Sequence, residues 1–372
     1  MEVPPGLHRH RSTLRIGGVA ALVVALAASV RLLTLPAPHP PGTDWTLKEA
    51  YPSAAVVDVP GYVEGDWAYQ PMLFLDGQTS LGTATPSTGG STALVILGPE
   101  GTLRTVRTLG AEEAPQFGGF TTGDDRIAWL EQTAGDDGQG DAAIWIAGRD
   151  GSDARVLTRD LGDFAFFNSQ YDLLIRDSRV YWVAAAPGDG LSSEIRSISV
   201  TGGTVSVRRI DGGWQAVGGD WLVTAMTAGG GATALVNWKT GRRTPIPNQQ
   251  SELVSCSSAL CRVLVLGGDG GATRIDVMRT DGSQRHRAAS GSVTAALVDV
   301  GLLDRWEVYS RQGSGASALA RQQVLLYDVR ERRTINLSDG AGQIMGRNGF
   351  VWWGSGMGDD VTWHVLDLHT LR

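Results

Sequence analysis

Beyond residue 60, runs of four to eight apolar and β-branched residues alternate with turns rich in Gly, Asp and Ser, which is the signature of short strands. The runs recur in a fixed order. Arg126-Ile127-Ala128-Trp129 corresponds to Arg179-Val180-Tyr181-Trp182, Asp220-Trp221-Leu222-Val223, Arg305-Trp306-Glu307-Val308 and Gly349-Phe350-Val351-Trp352-Trp353. Another set follows: Ala143-Ile144-Trp145-Ile146, Glu194-Ile195-Arg196-Ser197-Ile198, Ala234-Leu235-Val236-Asn237-Trp238, Arg274-Ile275-Asp276-Val277 and Val324-Leu325-Leu326-Tyr327-Asp328. These run into turns such as Arg149-Asp150-Gly151-Ser152 and Thr280-Asp281-Gly282-Ser283, where Asp-Gly is a strong hairpin signal. Turn glycines at 101, 151, 203, 241 and 282 repeat at about the 40 to 50 residues that one blade of a β-propeller needs. No window past residue 60 carries the periodicity of a long amphipathic helix.

The first unit contains Met72-Leu73-Phe74-Leu75 and Ala93-Leu94-Val95-Ile96-Leu97, and six full units precede a short last one. That last unit comprises Gln343 to Gly346, Phe350 to Gly354 and Thr362 to Leu366, and it lacks an outer strand. An open edge would leave N–H and C=O groups unpaired, so a strand must come from elsewhere. Ala54 to Val59 is the candidate. The prediction is an all-β fold: a β-propeller of seven four-stranded blades over residues 45–372, its last blade closed by an N-terminal strand. Irregularity between 60 and 75 keeps six or eight blades open. Thr83 to Thr92 and Gly229 to Ala232 read as small-residue hairpin loops.

Composition agrees. The chain has 50 Gly among 372 residues, for many tight turns, and 12 Trp, whose flat side chains suit the wedge between twisted blades.

The N-terminus bears on compartment. Arg9, Arg11 and Arg15 precede the uncharged run Ile16 to Val30, so residues 1–15 form a basic cytoplasmic region and 16–35 an apolar segment. As a helix, 15 residues span about 22 Å, short of a hydrocarbon core of about 30 Å. Two readings follow. Processing near Ala25-Leu26-Ala27 would make the segment a signal peptide and secrete the rest; snorkelling by Arg31 would extend it through Leu35 as a transmembrane anchor. The basic flank places the C-terminal bulk outside the cytoplasm in either case. A Pro-rich linker, residues 36–44, follows.

Residues 1–43 hold four Arg and one acidic residue, which leaves 28 basic against 38 acidic residues, a net of −10, in 44–372. Without a basic face, nucleic acid is excluded as a partner. The two cysteines, Cys256 and Cys261, flank a four-residue segment that can form a hairpin turn, so a disulfide is expected in an oxidising compartment.

Catalytic motifs are absent: there is no G-x-S-x-G, H-E-x-x-H or P-loop. His286, His364 and His369 are the histidines after the linker, and they read as solvated or strand-packed. Asp124-Asp125, Asp177-Ser178 and Asp304 precede equivalent strands, so acids there belong to the repeat as turn residues. Asp136, Asp137 and Asp141, in a glycine-hinged loop, are a candidate calcium site by composition, lacking the Glu that ends an EF-hand loop. No other metal and no cofactor is expected. If the chain were instead a glycan-active or hydrolytic enzyme, Tyr171, Asp172, Arg176 and Asp299 could reach the central channel.

The repeats, with an aromatic strand, a D-G turn and a β-branched outer strand behind an export segment, resemble the TolB-like and WD40-like propellers of exported bacterial proteins. The Gly-His and Trp-Asp dipeptides of true WD40 blades are missing, as are sialidase boxes. The resemblance implies a protein-binding scaffold at the cell envelope; the expected partners are an envelope protein or glycan and, from the apolar segment 16–35, the membrane through the N-terminal helix. The sequence expectation is therefore a non-enzymatic binding scaffold.

Overall fold

The computed structural model describes residues 44–63, 66–134, 140–188, 190–225, 231–268, 271–312 and 322–372. The segments 1–15, 16–35 and nearly all of the 36–44 linker lie outside them, and so do Asp136 and Asp137. No helix among the described residues is long and apolar enough to cross a membrane.

Seven sheets follow one another along the chain, six of them built around four strands in sequence order, the seventh from three such strands and one from the N-terminal end of the described residues. Blade two is representative, with Gln116–Gly123, Arg126–Thr133, Asp141–Gly148 and Arg155–Thr158. Every run aligned in the sequence as an aromatic strand is the second strand of its blade. The turn before it explains the acids. Asp124 and Asp125 have φ of 50° and 54°, Asp177 and Ser178 52° and 56°, Leu303 and Asp304 53° and 53°. Two successive left-handed residues are what a two-residue primed hairpin requires, and Asp and Asn tolerate that region better than most. Trp129, Trp182, Trp306 and Trp352, on four of the five aligned second strands, are almost wholly buried between neighbouring blades.

One reading in blade one needs correction. Ser80–Pro86 is a strand, paired with Trp67–Phe74 and Ser91–Leu97, where Thr83 onward reads as a loop. Its polar, small composition hides it because the sheet packs closely there. A Cβ on Gly82 would fall 2.3 Å from Gln70 O and 2.7 Å from the Tyr69 ring. The count is seven because Trp67–Phe74 is a regular inner strand with one register shift near Pro71.

Blade seven closes as the edge argument requires. Val56–Pro60 pairs antiparallel with Thr362–Asp367, with Val57 opposite Val365 and Asp58 opposite His364. The chain reaches that place along blade six. Trp45–Thr46 adds in parallel to Arg333–Ala341, and Thr46 and Glu49 form a capping box on the short helix Leu47–Ala50. Tyr51 Oη then donates to Asp328, which also accepts from Arg305 at 2.7 Å. Burial works against the Asp328 carboxylate, but these donors hold its pKa below the usual range.

Candidate functional site

Two inner strands are interrupted, in blades three and six. In blade three, Asp163–Phe164 pairs with Ala185 and Ala184, and Leu174–Arg176 pairs with Tyr181 to Arg179. Residues 165–173 fill the interval opposite only Trp182 and Val183, so they must leave the sheet. In blade six, Val293–Ala295 pairs with Arg311 to Tyr309, and Leu302 next bridges to Trp306. These blades stand across the ring from one another. Their excursions meet: Ser169 Oγ donates to Asp299 Oδ1 at 2.6 Å, and the Gln170 amide donates to Asp299 Oδ2 at 3.0 Å. Such contacts are possible only across the central channel, which the two segments therefore plug.

Charged groups hold the plug. Asp172 accepts from the amides of Phe167 at 3.1 Å and Ser169 at 2.9 Å. Arg347, from the inner strand of blade seven, donates to Phe120 O of blade two. The Asn348 amide donates to Gln170 Oε1 at 3.0 Å. From blade five, Arg262 donates to Leu297 O and Val298 O, each at 3.0 Å, and to Glu307 at 3.0 Å. Glu307 in turn accepts from the Gly301 amide at 2.6 Å.

The interior is poorly solvated. Burial pushes the Asp172 carboxyl up to about 6, although two amides and Arg347 oppose the shift. Burial likewise raises Asp299 and Glu307 and lowers Arg347. Removing one member would leave buried polar partners unmatched.

Above the plug, the channel opens as a mouth of about 450 Å³ lined by Gln170, Tyr171, Gly218, Asp304, Asn348 and His369, among others. It lies at the end of the ring that carries the turns between first and second strands. Burial raises the Tyr171 hydroxyl, with Asp299 and Asp304 adding to the effect. A smaller cavity of about 70 Å³ lies beside the plug, between Ser169, Tyr171, Val254 and Asp299.

Of the four residues expected at the channel, Tyr171, Asp172 and Asp299 converge there. Arg176 does not. It ends the inner strand of blade three, where it donates to Asp220 and lies 3.4 Å from Asp177. Sequence reasoning missed Arg347, Arg262 and Glu307. The last two carried a usable signal: Cys261-Arg262-Val263 and Trp306-Glu307-Val308 each place one charge inside an apolar strand, and buried charges need partners. Cys256 and Cys261 are bonded to each other, facing across the first hairpin of blade five. Of the calcium candidates, Asp141 is described, and it pairs with Arg159.

No family model matches the chain, and no curated protein does either. Solved structures do. An uncharacterized protein from Listeria monocytogenes matches at TM-score 0.52 and 12% identity, over 84% of this chain and 95% of that one. A puromycin-hydrolyzing peptidase from Mycobacterium tuberculosis matches at TM-score 0.50 and 15% identity, over 88% of this chain. The alignment spans only 56% of the peptidase's length. TolB from Acinetobacter baumannii matches at TM-score 0.41 and 13% identity, over 73% of this chain and 66% of TolB. The chain is a β-propeller. At these identities the likeness concerns architecture alone. It nonetheless corrects the expectation that the chain is not an enzyme. The same architecture occurs in a hydrolase, so missing nucleophile motifs in a propeller sequence do not exclude enzymatic activity.

Proposed function

We propose that this propeller is a binding module that receives a protein or cell-envelope ligand at the channel mouth, and that its N-terminal apolar segment holds it at the membrane outside the cytoplasm. The observation that carries the reading is the mouth itself. It is a concave site of about 450 Å³ whose floor is a plug tied to blades three, five, six and seven. Concavity, a rigid floor and a few convergent polar groups are the usual marks of a binding site. The basic flank before Ile16 and the Cys256–Cys261 bond favour the extracytoplasmic placement.

The test is site-specific photo-crosslinking in cells. A photoreactive residue at 304, in the mouth, should give a discrete adduct that Tyr171→Ala abolishes, while one at 207, on an outer strand, should give none. Equal adducts at both positions, or none at 304, would overturn the reading. Fractionation with protease added to intact cells checks placement, and a protected propeller would refute it.

A further inference from the structure

Three strands of blade seven bring a Ser, a His and an Asp into one hydrogen-bonded chain. Ser355 Oγ lies 2.7 Å from His364 Nε2, and His364 Nδ1 lies 2.7 Å from Asp58 Oδ1. Register explains the alignment. Asp58 on Val56–Pro60 is directly opposite His364 on Thr362–Asp367, which is directly opposite Trp353 on Phe350–Ser355. Ser355, two residues beyond Trp353, shares that sheet face. The Trp353 ring lies against the imidazole at 5.7 Å between centroids and 34° between planes, which limits its rotation.

The hydrogen bonds also select a tautomer. A carboxylate only accepts, so Nδ1 carries the proton toward Asp58 and Nε2 is left to accept from the Ser355 hydroxyl. That is the arrangement of nucleophile, base and orienting acid used in acyl transfer on unrelated folds. Ser355 is half-buried and stands between Gly354 and Gly356, which carry no side chains. Gly356 turns the chain sharply with φ of 86°, and a Cβ there would meet Asp360 O at 2.1 Å. Met357, 74% exposed, offers an apolar contact beside the turn.

We propose that Ser355 is an acyl-accepting nucleophile, with His364 as its general base and Asp58 as a positioning residue, acting on small activated acyl esters. Ser355 Oγ bonds to the acyl carbon while its proton passes to His364 Nε2. The ester C–O bond then breaks, and the leaving alcohol takes that proton. Water attacks the acyl-serine next and gives a proton to Nε2, which returns it to Ser355 Oγ as the carboxylic acid departs. The site is an open surface, so the acyl group must bring its own activation.

A fluorophosphonate probe and p-nitrophenyl acetate test this on the folded protein. The expected result is one phosphonyl adduct, mapped to Ser355 by peptide mass spectrometry, and ester hydrolysis with an initial burst. Both should vanish in Ser355→Ala. His364→Gln should slow labelling by about 100-fold or more, the usual span of general-base assistance, and Asp58→Asn by less. His364 and Asp58 also join the closing strand to the blade, so thermal unfolding is measured alongside. Wild-type protein decides the matter if those variants are unstable. No adduct at Ser355 in folded wild-type protein, equal labelling after denaturation in urea, or undiminished labelling of a folded His364→Gln protein would overturn the assignment.

Discussion

Replacing Asp172 by Asn tests whether the channel plug is held by a carboxyl group that the fold prefers to keep neutral. Burial raises its pKa from 3.8 to about 6. An acid whose folded-state pKa is raised binds more protons in the native state than in the unfolded chain, so stability falls as pH rises through the window between those values. A shift of about 2 units at 1.36 kcal/mol each is a loss of about 3 kcal/mol by pH 7.5. Asn cannot ionise, yet its carbonyl can still accept from the Phe167 or Ser169 amide, at the cost of about 1 kcal/mol for the other. Urea unfolding of both proteins from pH 4 to 7.5 should show the variant gaining about 2 to 3 kcal/mol on the wild type across that range. Asp299 is raised in the same direction, but it is present in both proteins and largely cancels in the difference. A constant difference, or a wild type that gains on the variant with rising pH, would refute the argument and show that Arg347 holds Asp172 ionised.

Two further outcomes follow from buried pairs. Arg262→Ala should cost about 3 to 5 kcal/mol in urea unfolding, because it strands the Glu307 carboxylate, whereas Arg262→Met with Glu307→Leu should cost less, the remainder coming from the Leu297 and Val298 carbonyls and the Gly301 amide left without partners. Protein recovered from outside the cytoplasm and denatured without reductant should take up no thiol label, and Cys256→Ala with Cys261→Ala should lower stability by about 2 kcal/mol through loss of the six-residue ring.

The architecture was legible because a propeller repeats its strand order, and because an unpaired edge is costly enough to demand a donor strand. Blade one's second strand escaped notice because Gly82, Thr83, Ala84 and Thr85 lack the bulk that marks a strand, and a crowded inner face is the reason for that composition. The site was legible only in part. Tyr171, Asp172 and Asp299 stood out as polar residues near inner strands, but nothing local says that residues 165–173 leave their sheet to meet blade six. Convergence across a ring is a long-range property, and no window of sequence contains it. The same holds for Asp58 and His364, which lie 306 residues apart.

That separation has a consequence for how the molecule is made. Val56–Pro60 leaves the ribosome early and has no partner until Thr362–Asp367 emerges, and its neighbours Trp45 and Tyr51 likewise wait for blade six. Blades one to five can stack on one another as they appear, but the ring is sealed last, by the most non-local strand pairing among the described residues, and such contacts are slow to form. Through most of synthesis, an apolar strand is left free to pair with a second nascent copy. A circular permutant that joins residue 372 to residue 44 and opens within the turn at 151 would make this pairing local, so sealing would no longer be the final step.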